Sequence, residues 1–261
     1  GKKLTVLESE ISNIEINGYR LPELIKTETR QLNFTHYTSF INHDIVIVMD
    51  TLLEKTFPQA VVTKRAYIPL FVENVIAMRE ETDFILADIT HEGTELAIVR
   101  DNIVTSVVSV PIGIATIAHS IAEGTGSPND TGFQMLRQEQ PQELPLAKKK
   151  AETVVSVLDA YENELHEVLV NTTDTLLLPA IVITHCDIDF ELFFSARIRN
   201  VLKNRALAQT QPTHISITEQ ITSALPYTCD SALALSAYDV MSRLNNIVTE
   251  STKAEFTETA D

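Results

Sequence analysis

Positive charge is scarce in this chain of 261 residues: Lys and Arg number 20 against 36 Asp and Glu, a formal charge of −16. A nucleic-acid backbone or an anionic membrane surface recruits clustered Lys and Arg, so this balance argues against both as ligands. The one basic cluster, Lys148-Lys149-Lys150, opens an expected helix and reads as a solvated helix end. Cysteine is nearly absent. Cys186 and Cys229 stand far apart and make neither a disulfide framework nor a CxxC metal signature, which suits a reducing cytoplasm. No run of about 18 apolar residues occurs, so no transmembrane helix is expected, and no signal-peptide pattern opens the chain. The chain begins at Gly1 and enters a strand within a few residues, so it is expected to be a piece of a longer parent. What is present is an ordinary globular hydrophobic content of 44%. The length suffices for one large domain or two modest ones with substantial cores.

Hydrophobic periodicity divides the chain near residue 82. LTVLESEISNIEINGYRL alternates as two strands or one long bent strand, with Asn17-Gly18 as turn or bulge. A strand over 31–40 follows. A helix then carries Val46, Met49, Leu53 and Phe57 on one stripe, before a strand over 60–67 and a helix over 68–80. From Asp83, FILADI and TELAIVR form a hairpin and NIVTSVVSVPIG a third strand. A helix then runs until Gly124, and 124–132 (GTGSPNDTG) is a flexible loop. Val154, Leu158, Tyr161, Leu165 and Val168 mark one face of a long helix, core first and partner surface second. LLLPAIVITHC is a buried central strand, and Phe190, Phe193, Phe194 and Ile198 are the core side of the next helix. THISIT is a short strand, 230–246 a helix capped by Asp230 or Ser231, and 249–261 a disordered acidic tail.

DITHEGTELAIVRDN carries the chemistry in question. An acidic residue ends one strand, a short turn follows, and a second strand begins, the outline of a hairpin that lays backbone N–H groups against a phosphate. Such loops need glycine for close main-chain approach, and here the turn is Thr90-His91-Glu92-Gly93.

Three stretches resemble the second half of an actin-like ATPase, within that superfamily the bacterial division protein FtsA and its pilus-assembly relative PilM. NIEINGYRL (13–21) is similar to the strand that opens the family's inserted strand–helix module. Residues 83–123 resemble the second phosphate hairpin, the strand ending in a Pro-Ile-Gly turn (Pro111-Ile112-Gly113) and the helix after it. PAIVITHCDIDFELFFSARI (179–198) resembles the strand, turn and helix that hold adenosine through a Gly-Gly pair. The resemblance implies an α/β fold, the second half of an actin-like (ribonuclease H-like) fold with a small inserted module over 1–82, the actin-like lobe over 83–248 and the tail beyond. Carried over by position, the nucleotide-loop residues are Asp88, Thr90, Thr94, Thr184, His185 and Asp187, with Glu95 standing for the acidic residue of the second strand.

The departures fall on those loops. The glycines become Thr90, His91 and Glu92, and the Gly-Gly pair becomes His185-Cys186. Side chains there obstruct close backbone approach, and Glu92 adds like charge beside a phosphate, costing on the order of 1 kcal/mol at about 4 Å. The family's first phosphate loop lies in an N-terminal half that this chain does not contain. The loops are therefore expected to be the remains of a nucleotide site, with no cofactor.

Simpler readings stand beside each candidate. Asp88 could hold a Mg²⁺-bound water if the missing half brought a nucleotide, or be a solvated acid at a strand end, and the second is favoured. THCDID supplies possible ligands, but consecutive residues rarely share one tetrahedral metal. Cys186 beside His185 is a poor nucleophile pair; Cys186 packs at its strand end and Asp187 caps the next helix. His91 and Glu92 form a solvated turn. The expected function is a non-enzymatic scaffold, placed in the cytoplasm or peripheral to the inner membrane through its partners. Those partners are a filament protein or the cytoplasmic tail of a membrane protein, with self-association possible and no nucleic acid or membrane insertion. The alternative is an ATP- and Mg²⁺-binding ATPase whose first phosphate loop lies in the missing segment. The acidic tail (Glu250, Glu255, Glu258, Asp261) differs from the basic amphipathic helix that ends FtsA-like chains.

Overall fold

The computed structural model describes residues 3–20, 28–172, 177–204, 207–208 and 212–216. The helix expected over 230–246 and the acidic tail lie outside the described residues. The chain divides into two compact units, Gly1–Glu73 and Asn74–Asp261.

In the first unit the alternation after Lys3 makes one long strand, β1 (Leu4–Ile16). Asn17 and Gly18, at φ 53° and 83°, reverse the chain in two residues into the short β2 (Tyr19–Arg20). β3 (Leu32–Asn42) pairs antiparallel with β1 from Leu4↔Asn42 to Ile16↔Leu32, giving the order β2-β1-β3. Two register shifts, at Val6/Glu8 and Ile11/Asn13, bend β1. The Asn42 side chain accepts the Asp44 N–H and starts α1 (His43–Thr56). The expected stripe on α1 forms but is not buried: Met49 and Phe57 are 47% and 59% exposed, and Val46 and Leu53 are half-buried.

The strand expected over 60–67 is absent: residues 58–66 form no ladder. Val61 is 97% exposed, and the Ala66 N–H is spent on Glu8 Oε2 at 2.9 Å rather than on a neighbouring strand. Alternation alone does not make a strand without an edge to pair with. Arg65 donates to Glu8 Oε1 at 3.0 Å and also grips Glu73, so a buried carboxylate on β1 is clamped by a guanidinium from this segment. α2 (Tyr67–Met78) follows, and the division between the units falls within it.

The second unit is a five-stranded sheet, order β6-β5-β4-β7-β8, made of β4 (Phe84–Ile89), β5 (Thr94–Arg100), β6 (Ile103–Val110), β7 (Ile181–His185) and β8 (Thr213–Ser216). β4, β5 and β6 form an antiparallel meander, and Asp101 and Asn102 turn it at φ 50° and 62°. β7 lies parallel to β4, and β8 parallel to β7. All six residues of β4 are buried, as its continuous apolar run requires of a central strand. The core is closed by α3 (Ile114–Thr125), α5 (Lys148–Thr172) and α6 (Glu191–Asn204). Ile117 and Ile121, Val154 and Leu165, and Phe193 and Phe194 are among their most enclosed contributions.

Two boundaries differ from expectation. α3 passes through Gly124, whose absent side chain leaves room for Thr153 Cγ2, 2.5 Å from where a Cβ would sit. The stop is Gly126, left-handed at φ 61° and ψ 36°. The stretch read as a flexible loop holds a helix, α4 (Asn129–Leu136), preceded by Pro128. Its Gly132 lets α4 approach α3 so closely that a Cβ would lie 2.0 Å from the Ala118 carbonyl oxygen.

Gly132→Ala is therefore expected to push α4 off α3 and cost about 1–3 kcal/mol, as overpacking does. Urea unfolding of the two proteins checks this, and an unchanged midpoint would contradict the contact.

Candidate functional site

In an α/β sheet, ligands bind beyond the carboxyl ends of the parallel strands, and the sequence-selected loops meet there. Register places Asp88 of β4 abreast of His185 of β7. The His185 Nδ1–H donates to Asp88 Oδ1 at 2.6 Å, and both side chains are at least nine-tenths buried. Asp88 is thus not the solvated acid of the simpler sequence reading. Burial forces a carboxylate to find a donor, and the donor comes from another of the residues selected in the sequence.

The turn after β4 is similarly turned inward. The Thr90 hydroxyl accepts the N–H groups of Glu92 and Gly93 at 3.3 and 3.1 Å, and Thr90 N–H donates to Gly93 O. The carbonyls of Thr90 and His91 accept the N–H groups of Ile114 and Ala115, both at 3.0 Å, at the start of α3. A helix N-terminus is a ready anion site because those donors are unspent; here the turn has spent two of them. Gly113 permits this closure, since a Cβ there would lie 2.4 Å from Thr90 O and 2.5 Å from Gly93 N. His91 and Glu92 remain exposed, as a solvated turn should be.

The other selected residues do not converge on the crevice. Thr94 is fully buried, donates to Ile112 O at 2.9 Å and meets the Tyr161 hydroxyl at 3.0 Å, so it ties β5 to α5. Thr184 is also fully buried and bonds His214 of β8 and Glu191 of α6. Cys186 packs at its strand end, where burial, followed by the negative charges of Glu191, Asp187 and Asp88, pushes its thiol well above the usual range. That holds it as an unreactive thiol. Asp187 is exposed and accepts the Asp189 N–H at 3.1 Å, bracing the turn that leads into α6. No group of three or more metal-ligating side chains is found among the described residues.

Phe133 of α4 is the residue that sequence reasoning missed. Its ring lies 6.4 Å from His91, 6.3 Å from Phe190 and 5.7 Å from His119, so it bridges the turn after β4 and the turn after β7. The signal was Pro128 ahead of Asn129 and Asp130, a helix start followed by Phe133, Met135 and Leu136.

Solved structures with a comparable fold exist. A chain of the "PilM-PilN type IV pilus biogenesis complex" is 12% identical with a TM-score of 0.51, over 90% of this chain and 66% of that one. The ethanolamine utilization protein EutJ from Carboxydothermus hydrogenoformans is 15% identical at a TM-score of 0.37, over 56% of this chain and 48% of that one. Ta0583, an archaeal actin homolog, is 15% identical at 0.39, over 81% and 62%. This chain has a mixed α/β fold of the actin-like, ribonuclease H-like kind. It spans about half to two-thirds the length of these proteins. No protein-family model and no curated protein sequence matches it. No helix among the described residues is long and apolar enough to cross a membrane.

Glu95 faces Asp88 directly across the β4–β5 ladder. Burial first, and the Asp88 charge second, raise its pKa above the ordinary carboxylate value. The folded chain thus holds this proton more tightly than the unfolded chain does. The penalty is absent in acid, below the unfolded value, and sets in as pH rises through the folded value. Glu95→Gln is expected to stabilise the protein at neutral pH by about 0.2–1 kcal/mol, the scale of a like-charge cross-strand pair, and to do little near pH 4. Denaturation at the two pH values checks the sign.

Proposed function

We propose that this chain is a non-enzymatic, actin-like adaptor of the FtsA/PilM kind that works by binding protein partners, its nucleotide crevice closed. The observation that carries this reading is the Asp88–His185 hydrogen bond. The carboxylate that would face a metal-bound phosphate is committed to an imidazole on the next strand. The inward turn of Thr90, Glu92 and Gly93 adds to it, because the amides that would line a phosphate are already paired.

A protein partner is favoured over a small substrate by the first unit. Phe34 and Phe40 on β3 stand opposite Ile14 and Val6 on β1, so these four share one face of the ribbon; Phe34, Phe40 and Val6 are 61%, 60% and 52% exposed. An apolar face left open in this way marks an interaction surface. The structural neighbour of comparable fold is a member of a PilM-PilN complex in type IV pilus biogenesis. By analogy, the partner proposed here is the cytoplasmic tail of a membrane-anchored assembly protein, and the place of action is the cytoplasmic side of a membrane.

Calorimetric titration of the chain with Mg-ATP is expected to release no binding heat, and Mg-ATP is expected to leave the thermal midpoint unmoved. Saturable binding that disappears in Asp88→Ala would overturn the closed-crevice reading in favour of an ATP-binding protein.

A further inference from the structure

A cavity of about 320 Å³ lies in the second unit, away from the crevice. Its walls come from the segment after α4 (Glu139, Gln140, Gln142), the second half of α6 (Ala196 to Lys203) and Pro212 just before β8. Parallel strands run from that end of the sheet towards Asp88 and His185, so the cavity belongs to the opposite end. Its volume is within the range of small-ligand sites, roughly 300–1,000 Å³.

In a chain with a net charge of −16 this cavity is lined by Arg197, Arg199 and Lys203. Arg197 is the fixed member. Its side chain is 8% exposed, donates to Glu162 Oε1 at 3.1 Å and to the Glu139 carbonyl at 3.4 Å, and lies 5.8 Å over the Phe193 ring. Arg199 donates its Nε–H to the Ser195 carbonyl at 3.2 Å, and its outer guanidinium nitrogen stands 3.6 Å from Glu139 Oε1, with both side chains partly exposed. Lys203 sits in the last turn of α6. Two polar atoms of the wall, Arg197 Nε and Gln142 Oε1, are buried without a hydrogen-bond partner among the described residues. Native proteins rarely leave such groups unpaired.

The lining is specific about what it can take. Arg197, Arg199 and Lys203 line the cavity with Glu139, and Glu162 pairs with Arg197 from outside the lining, so a ligand of one net negative charge completes the balance. Arg199 and Lys203 call for a carboxylate, for which the guanidinium fork is well shaped. Glu139 and Gln142 Oε1 call for an N–H or O–H donor close by. A phosphate dianion brings a second charge against Glu139, whose carboxylate already lies beside Arg199.

We propose that this cavity binds a small free acid that carries an ammonium or hydroxyl donor beside its carboxylate, an acidic amino acid being the form that meets every wall. Binding draws Arg199 away from Glu139 and turns the Gln142 amide towards the ligand's donor.

The test is a titration of the full chain with L-glutamate, followed by amide NMR and calorimetry, beside acetate, inorganic phosphate and N-acetyl-glutamate N-methylamide. The expected result is saturable binding of L-glutamate with shifts confined to 139–142 and 196–203. The Arg199→Gln, Lys203→Gln double variant should weaken it at least about tenfold, roughly the loss of one charge-assisted contact, with its unfolding midpoint unchanged. Absence of saturable shifts would overturn the proposal, as would equal affinity in the double variant. Phosphate binding as tightly in the same place would overturn the donor requirement and reduce the cavity to a general anion site. Equal binding of the capped derivative would overturn the free-acid assignment and make the ligand an acidic side chain of a protein.

Discussion

A carboxylate taken out of water must be met by a donor, and at Asp88 that requirement organises the second unit. The donor is His185, on a strand 97 residues further along the chain. The pair can form only when β4 and β7 lie in one register, because a slip of one residue would turn His185 to the opposite face of the sheet. Breaking the pair from one side would strand a buried polar group, which is costlier than never having had it. The interaction therefore fixes the alignment of the parallel half of the sheet.

The two units solve opposite problems. The second buries aliphatic and aromatic side chains from β4, α3, α5 and α6 in one continuous core and spends polar groups sparingly, Thr94 with Tyr161 and Thr184 with His214. The first is a small antiparallel sheet with no buried residue on α1, held by a charged clamp of Glu8, Arg65 and Glu73. With β2 only two residues long, most of this sheet is the β1–β3 pair, and two-stranded ribbons are marginal by themselves in water. This one keeps its order through the clamp on one face and leaves the other face apolar.

The sequence was most legible where periodicity and burial agree. FILADI and TELAIVR read as a hairpin and are paired inner strands, and Val154, Leu158, Tyr161 and Leu165, read as core before partner surface, are one buried helical face. It misled where alternation had no partner: 60–67 has the pattern of a strand but no edge to complete it. It misled again at Gly124 and Gly132, where glycine grants close approach between helices rather than ending or loosening one. Within the site, the loop residues could be selected by position. That Asp88 and His185 bond each other could not, since it depends on the β4–β7 register, which no local pattern encodes.

The order of the strands has a temporal consequence. β4, β5 and β6 are contiguous in the chain and can zip together as soon as residue 110 has been made. The free side of β4 has to wait for β7 while α3, α4 and α5 are synthesised. Closing that long separation is a slow, late event, since loop entropy must be overcome before the pairing rewards it. Until then Asp88 stands in water at the lip of an unfinished sheet, hydrated and charged at no expense. The Asp88–His185 bond is therefore also a record of completion: only a chain that has finished its parallel half can hide that carboxylate.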